Sequence, residues 1–400
     1  MQRTNIIQLK PNKKQKKILK EMCLLSSCVF NSANYLIRQQ FFKSEKISGF
    51  FDLQEKLQNT DDYKLIGRSY ALPRIQVYSE TNSARFKLIK SKTQKRVGLP
   101  KYLKNRKTNT TIPSYLVMDN SQYSIKKNHV VIPLSRAMRK KHGLKKFHIK
   151  YNGVLKWSGF QKRGQIKFKD GQFYLHQSVE LKDIKLKKSK ISVGVDLGIK
   201  RFLSLQTNSG ADKKIGNKRF YKHWKYLTNL ISKEQRKLNL KGKRYSRNLT
   251  RLFRIRSKWQ NNLFNNIVAK MFRFINTNNV SEVVVGDIKN IRDSKSKGKR
   301  VNQMINNYWS FDLLLKKIEN KAEEFGVILK KVTEEYTSRT CPICNDNSKT
   351  NCKDRVFLCS FCGFVDDRDR IGARNILLKS MYGSLESIHW NEAVPCGVST

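Results

Sequence analysis

The sequence predicts a multidomain α/β plus β-barrel protein, with a small cysteine ribbon inserted late in the chain. Three observations lead there. From about Thr111 to Lys182, short alternating segments such as YSIKKNHVVIPL and GQFYLHQSVEL are split by Gly and Asn turns, the period-2 pattern of a small β-barrel or meander. At Ile191 the pattern changes. ISVGVDLGIK, SEVVVGDI and GVILKKVTEE are nearly continuous apolar runs separated by helical stretches, as expected of strands buried on both faces of a mixed sheet. Third, the pairs Cys341/Cys344 and Cys359/Cys362 are Cys-x-x-Cys turns with fourteen residues between them.

The elements follow in chain order. After a strand-like start, NIIQLK, the stretch from Pro11 to about Phe42 is predicted to be a helix pair, because Ile18, Met22, Leu25, Val29 and Tyr35 recur at helical spacing. A further helix is expected from Tyr78 to about Lys92, followed by the basic loop KTQKRVGLPKYLKNRKTNTT. Beyond the alternating segments and the ISVGVDLGIK strand, RFLSLQT reads as a hairpin partner. One or two long basic helices should span about Lys222 to Ile275, with Tyr226, Leu230, Leu238, Leu249, Leu252, Phe253, Trp259, Phe264, Val268 and Phe272 as core candidates. The loop DSKSKGKR and a helix around Asp312–Phe325 join the next two strands, and RIGARNILLKSMYG closes the pattern as a helix. The tail HWNEAVPCGVST carries no motif and reads as disordered.

Charge narrows the partners. The chain has 83 Lys plus Arg against 30 Asp plus Glu, a formal +53 over 400 residues, whereas small domains usually carry about 2 to 8. Such a surplus repels itself unless a polyanion shares the surface, which points to nucleic acid. The basic residues run through the whole chain instead of lining one amphipathic helix, so no membrane partner is expected. The apolar runs are too short for a bilayer and MQRTNIIQLK lacks a signal-peptide core, so a soluble, non-exported chain is expected. Cys23, Cys28, Cys352 and Cys396 lack framework spacing, which argues for a reducing compartment.

Four thiolates on two tight knuckles suit a tetrahedral Zn²⁺ site at Cys341, Cys344, Cys359 and Cys362; two disulfides are the competing reading. Carboxylates adjoin them. Asp196 ends the first buried strand in VGVDLG, where a charge is costly unless paired or metal-bound, although a simple turn residue is the alternative. Asp369, in Asp366-Asp367-Arg368-Asp369, begins the last helix, where a plain cap is the alternative. Two such aspartates converging at one sheet edge in a basic protein suggest Mg²⁺-assisted phosphodiester hydrolysis at a two-metal site. A third carboxylate is normally required. The end of SEVVVGDI offers only Gly286 and then Asp287, which strand alternation points to the opposite face.

These segments carry a resemblance. VGVDLGIKRFLSL, VVVGDIKNI, WSFDLLLKKIENKAEEFG, EEYTSRTCPIC and CGFVDDRDRIGARNIL occur in the order found in the TnpB family, the transposon-encoded RNA-guided nucleases related to type V CRISPR effectors and Fanzor proteins. The resemblance spans Gln8 to about Leu378. It implies an RNase H-like RuvC nuclease domain with an inserted zinc ribbon, preceded by a split β-barrel (wedge) with a helical recognition insertion. Its divisions are 1–10, first barrel strand; 11–110, recognition insertion; 111–185, rest of the barrel; 186–338, nuclease; 339–364, ribbon; 365–385, nuclease again; and 386–400, tail. It carries the first and last catalytic aspartates onto Asp196 and Asp369. Gly286 stands where many members have Glu, and a branch with Gly there uses a relocated glutamate before the ribbon, here Glu334, with Glu335 as substitute.

The implied activity is RNA-guided cleavage of double-stranded DNA beside a short flanking motif, with Mg²⁺, by a monomer in a ribonucleoprotein whose guide RNA derives from the mobile element. The alternatives are an RNA-guided binder that does not cut, and a guide-free DNA-binding accessory of transposition. Arg339, Arg355, Arg368 and Arg374 are candidate phosphate contacts, and Phe361 and Phe364 are expected to pack the ribbon more than to stack bases. Ile371 and Gly372 replace the family's usual Asn-Ala, which bears on helix packing.

Overall fold

A computed structural model describes residues 1–90, 98–144, 146–169, 171–198, 201–216, 218–287, 310–347, 350–351, 355–383 and 385. The chain divides into two compact units, Met1–Asp183 and Ile184–Thr400. No described helix is long and apolar enough to cross a membrane.

The first unit is a sheet with helices packed on it. β1 (Gln2–Lys10) runs into α1 (Lys13–Phe42), whose start is fixed by a capping box: Gln15 N–H donates to Asn12 Oδ1, and Asn12 N–H to Gln15 Oε1. Then come α2 (Phe50–Leu57), α3 (Asp61–Ile66) and α4 (Arg68–Lys90). The chain returns as β2 (Tyr115–Met118), β3 (Ser124–Ile125), β4 (His129–Pro133), α5 (Arg136–His142), β5 (Lys146–Asn152), β6 (Phe160–Lys169) and β7 (Gln172–Glu180). The seven strands pair antiparallel in the order β2-β6-β7-β1-β5-β4-β3, so β1 is central, and among the described residues no ladder joins β2 to β3. Alternation puts Ile7, Leu9, Phe173 and Leu175 into one core with Ile18, Met22 and Tyr78 from the helices.

Two expectations for this unit need correcting. Residues 13–42 form one helix, not a pair, because Ser26 and Ser27 are buried within it and satisfied: Ser26 Oγ donates to Tyr115 O and Ser27 Oγ to Cys23 O. Tyr35 is exposed, since it lies off the stripe running through Val29, Ala33 and Ile37. The next long helix begins at Arg68 instead of Tyr78 and carries Pro73 inside it. Residues 91–97 of the basic loop lie outside the described residues.

The second unit is a mixed α/β layer structure. Its sheet has the order β10-β9-β8-β11-β12, formed by β8 (Ser192–Asp196), β9 (Leu203–Thr207), β10 (Asp212–Ile215), β11 (Glu282–Asp287) and β12 (Ile328–Thr333). β8, β11 and β12 are mutually parallel neighbours; β9 and β10 are antiparallel additions. Both faces are covered, which explains the continuous apolar runs. Val193, Val195, Val283 and Val285 pack with α7 (Arg247–Thr277) and α8 (Phe311–Phe325). Val284 faces the other way, onto Ile376 and Leu377 of α9 (Arg368–Tyr382). Gly194 makes this close layer possible: a Cβ there would lie 2.0 Å from the Ala373 carbonyl oxygen of α9.

α6 (Lys218–Leu240) and α7 form a basic helical hairpin whose far half has only a small core of its own, Ile231, Leu238, Leu249 and Leu252. That is why Tyr226 and Phe253, expected in the core, are exposed. A three-stranded antiparallel sheet, β13 (Thr350–Asn351), β14 (Val356–Cys359) and β15 (Val365–Asp367), carries the second cysteine pair. The loop DSKSKGKR and the tail from 386 onward lie outside the described residues.

Candidate active site and metal centre

Asp196 ends β8, and α9 lies directly over it. A Cβ on Gly372 of that helix would stand 3.2 Å from the Asp196 carboxylate, so the Gly372 departure bears on this carboxylate and not on helix packing alone. Asp369 sits in the first turn of α9 but is not its cap. Asp367 is the N-cap, accepting from Asp369 N–H at 2.9 Å.

Glu334 comes one residue after β12, whose Val332 and Thr333 pair with Gly286 and Asp287 of β11. Its side chain occupies the space that a side chain at 286 would need: a Cβ on Gly286 would lie 2.1 Å from Glu334 Oε1. That oxygen is buried and has no hydrogen-bond partner among the described residues. Glu335, by contrast, is exposed, and its carbonyl oxygen accepts from Lys379 Nζ at 3.4 Å.

The electrostatics tie the cluster together. Burial, then the charge of Asp369, push the Asp196 carboxyl up to about 7, against the opposing pull of Arg368 and the Leu197 backbone N–H. Burial, then the charges of Asp196 and Asp287, push Glu334 up to about 8. The charge of Asp287, one residue beyond Gly286 on β11, is thus felt at Glu334. Like-charged, partly desolvated carboxylates with an unpartnered oxygen are costly on their own, and a hard cation relieves that cost. Among the described residues only the four cysteines bring three or more ligand atoms within 4.8 Å of one another.

Sequence reasoning missed the cations that brace this site. Arg201 Nη1 donates to Asp367 Oδ2 at 2.6 Å and to Asp369 Oδ2 at 3.1 Å. Lys214 Nζ lies 2.9 Å from Asp367 Oδ2. Burial opposes ionisation of Asp367, but hydrogen bonds from Arg201 and Lys214 outweigh it and hold the carboxyl at about 2. Arg355, one of the four arginines singled out, donates to Asp369 Oδ2 at 3.2 Å from a left-handed backbone position, φ 74°. Arg368 is felt by Asp196, Arg339 is exposed, and Arg374 Nε is buried without a hydrogen-bond partner among the described residues. In sequence Arg201 gave no signal; the acidic run at 366–369 was the visible half of the network.

The cysteine cluster forms as the spacing requires. The sulfurs of Cys341 and Cys362 lie 3.6 Å apart, those of Cys344 and Cys359 3.5 Å apart, and all four fall within 4.8 Å. Zn–S bonds of about 2.3 Å imply sulfur separations of about 3.8 Å in a tetrahedron, so the donor set is compatible with zinc. Phe357, Ile371 and Phe364 pack beside the sulfurs. Phe361 does not: it is 67% exposed, which corrects the expectation that both knuckle aromatics pack the ribbon. The stem is pinned to α9 by buried Asn375, whose Nδ2 donates to Thr337 O at 2.8 Å and Thr340 O at 2.7 Å.

Comparisons with known proteins find likenesses along most of the chain. Residues 176–292 match the family model described as "Probable transposase", and residues 311–376 match "Cas12f1-like, TNB domain". The chain is 28% identical over 419 residues to the TnpB-like protein ORF457 of Acidianus two-tailed virus, covering 95% of this chain and 87% of that protein. It is 34% identical over 96 residues to the CRISPR-associated endodeoxyribonuclease Cas12f1 of Sulfoacidibacillus thermotolerans, which spans 24% of this chain and 21% of that protein. In fold it is similar to the protein in a Cas12f1–sgRNA–target DNA complex, at TM-score 0.61 and 16% identity over 91% of this chain and 83% of that one. It is also similar to CasPhi-2 (Cas12j) bound to crRNA and phosphorothioate DNA, at TM-score 0.51 and 10% identity over 96% and 92% of the two chains.

Mixed α/β units with a four-cysteine cluster give this chain the fold of the Cas12-type effectors. Within that class, the partial family-model matches and the likeness to the TnpB-like protein ORF457 support the TnpB family for this chain.

Proposed function

We propose that the chain is an RNA-guided DNA endonuclease of mobile-element origin, cutting double-stranded DNA beside a short flanking motif that the protein reads. The observation that carries this reading is Glu334: its oxygen, unpartnered among the described residues, fills the side-chain space of Gly286, and its carboxyl feels the charge of Asp196. Asp196, Glu334 and Asp369 would hold Mg²⁺, and Cys341, Cys344, Cys359 and Cys362 would hold Zn²⁺. Bound Mg²⁺ supplies activation of the attacking water and charge relief at the leaving oxygen. The chain's own groups orient the reaction: Asp196 from a strand end, Asp369 from a helix start, with Arg201 bracing Asp369. The gap at Gly286, which would favour the non-cutting alternative, is filled by Glu334 in space.

The residue divisions given by the family resemblance are part of the proposal: a split barrel with a recognition insertion, a RuvC-like nuclease, and a ribbon within it. The net charge of +53 supports a nucleic-acid load that includes guide and target together. Purified ribonucleoprotein, prepared with the neighbouring noncoding DNA, should cut a matched target with Mg²⁺ and stop on EDTA. Glu334→Ala should abolish cutting while Glu335→Ala leaves it within a few-fold. Tight guide-dependent binding by the unaltered protein without any cutting would sink the nuclease claim.

A further inference from the structure

We propose that the second unit carries a nucleotide pocket beside its carboxylate cluster, built to hold one unstacked nucleotide of a DNA single strand. The strand's identity rests on the nuclease reading; the pocket's existence does not. A cavity of about 700 Å³ opens between β10, the start of α6 and the later turns of α7, within the roughly 300–1,000 Å³ typical of small-ligand sites. Its floor is apolar: Ile215, Phe220, Leu263 and Ile267. Its rim carries four exposed cations, Lys213, Lys214, Lys270 and Arg273, and no carboxylate lines it. An aromatic and aliphatic floor under a cationic rim matches the two halves of a nucleotide, a π-faced base and an anionic phosphate.

Position makes the assignment specific. Lys214, part of the rim, is also the lysine at 2.9 Å from Asp367, and Arg201 links Asp367 to Asp369. At the other end of β10, Asp212 pairs with Arg370 of α9 at 3.5 Å. The strand that walls the pocket and the helix start that bears Asp369 are therefore cross-linked twice. Lys214 thus belongs both to the pocket rim and to the network that holds Asp369, so a strand drawn to Asp369 would have the pocket within reach. A paired base is stacked and cannot enter, so the occupant belongs to an unpaired segment, and a base held there would fix the strand's register relative to the cut.

The test uses the full-length protein and a short single-stranded DNA carrying one 5-iododeoxyuridine, in EDTA so that no cutting intrudes. Irradiation should yield an adduct that maps to Phe220. Ala269→Trp fills the cavity from an exposed lining position outside the carboxylate cluster, and should weaken strand binding about tenfold, which is 1.4 kcal/mol, and remove the adduct. Lys270→Ala with Arg273→Ala should reduce the salt slope by about two. Unchanged binding and an unchanged adduct in Ala269→Trp would overturn the pocket. Full competition by free dTMP would reassign it to mononucleotides, and equal adduct yield with single-stranded RNA would overturn the DNA assignment. Loss of the adduct in Ala269→Trp, in a protein whose ribonucleoprotein never cuts, would keep the pocket and discard the nuclease reading.

Discussion

Glu334 and Gly286 share one space, so neither residue is interpretable alone. A methyl group at 286 would strike the Glu334 carboxyl, the movable end of a flexible side chain, before it met any backbone. Gly286→Ala should therefore fold normally yet lose at least about tenfold in cutting, because Glu334 is pushed aside, an effect worth about 1.4 kcal/mol. The double variant Gly286→Glu with Glu334→Ala puts the carboxylate back on β11 and should recover part of the rate. Full activity in Gly286→Ala, measured on a matched target, would mean that the shared space is irrelevant. At this scale the sequence was informative about places and poor about directions. Asp196 at a strand end and Asp369 in a helix start were readable from pattern. The preference for Glu334 over Glu335 came from the family resemblance and not from pattern, because pattern alone does not say that β12 ends at Thr333, and a strand's last residue is the least legible thing in a sequence.

Elements are held in place here by a few buried polar contacts. Asn375 of α9 closes two carbonyls in the stem between Glu334 and Cys341. Asn375→Ala leaves both without that donor, and should cost about 1–3 kcal/mol of stability in denaturant unfolding. Its Mg²⁺ requirement should rise as well, since the stem that carries Glu334 is loosened; an unchanged unfolding midpoint would refute the clamp. In the first unit Glu21 of α1 meets Lys141 at 2.7 Å and His142 at 3.0 Å of α5. Burial opposes the charge on Glu21, but the hydrogen bond and charge of Lys141, with His142, outweigh it and lower its pKa. A lowered folded-state pKa means stability that is present above the ordinary carboxylate value and lost as pH falls through the folded one. Glu21→Gln should flatten that acid limb by less than about 1 kcal/mol, seen as a smaller loss of melting temperature on acidification. The single α1 was not legible because Ser26 and Ser27 look like a break until their buried acceptors are known.

For the whole molecule, the alternation between 111 and 182 and the apolar runs after 191 anticipated two different sheets, and the structure has both. What they did not reveal was the exposure of Tyr226 and Phe253, because helical spacing says which side a residue is on and not whether anything lies there. The cysteine cluster was legible in full, since four sulfurs on two tight turns leave little freedom. It also lies between Glu334 and Asp369 in the chain, so a metal held by the ribbon and metals held by the carboxylates would be coupled. Cys341→Ser, or zinc removal with a chelator weak for Mg²⁺, should reduce cutting by about tenfold or more while the first unit keeps its melting transition. Unimpaired cutting by zinc-free protein would uncouple the two sites.

The central place of β1 sets an order of events during synthesis. Gln2 pairs with Glu180 and Gln8 with Asn152, so β1 has neither neighbour until most of the rest of its unit has been translated. At about 5–20 residues per second that wait is on the order of 10–40 s. Meanwhile α1, capped by its own Asn12 and Gln15, is able to form locally, and an apolar strand stands open on both edges beside it. The nascent chain would then be most exposed to mispairing just before β7 emerges, and a messenger that pauses there would prolong the hazard.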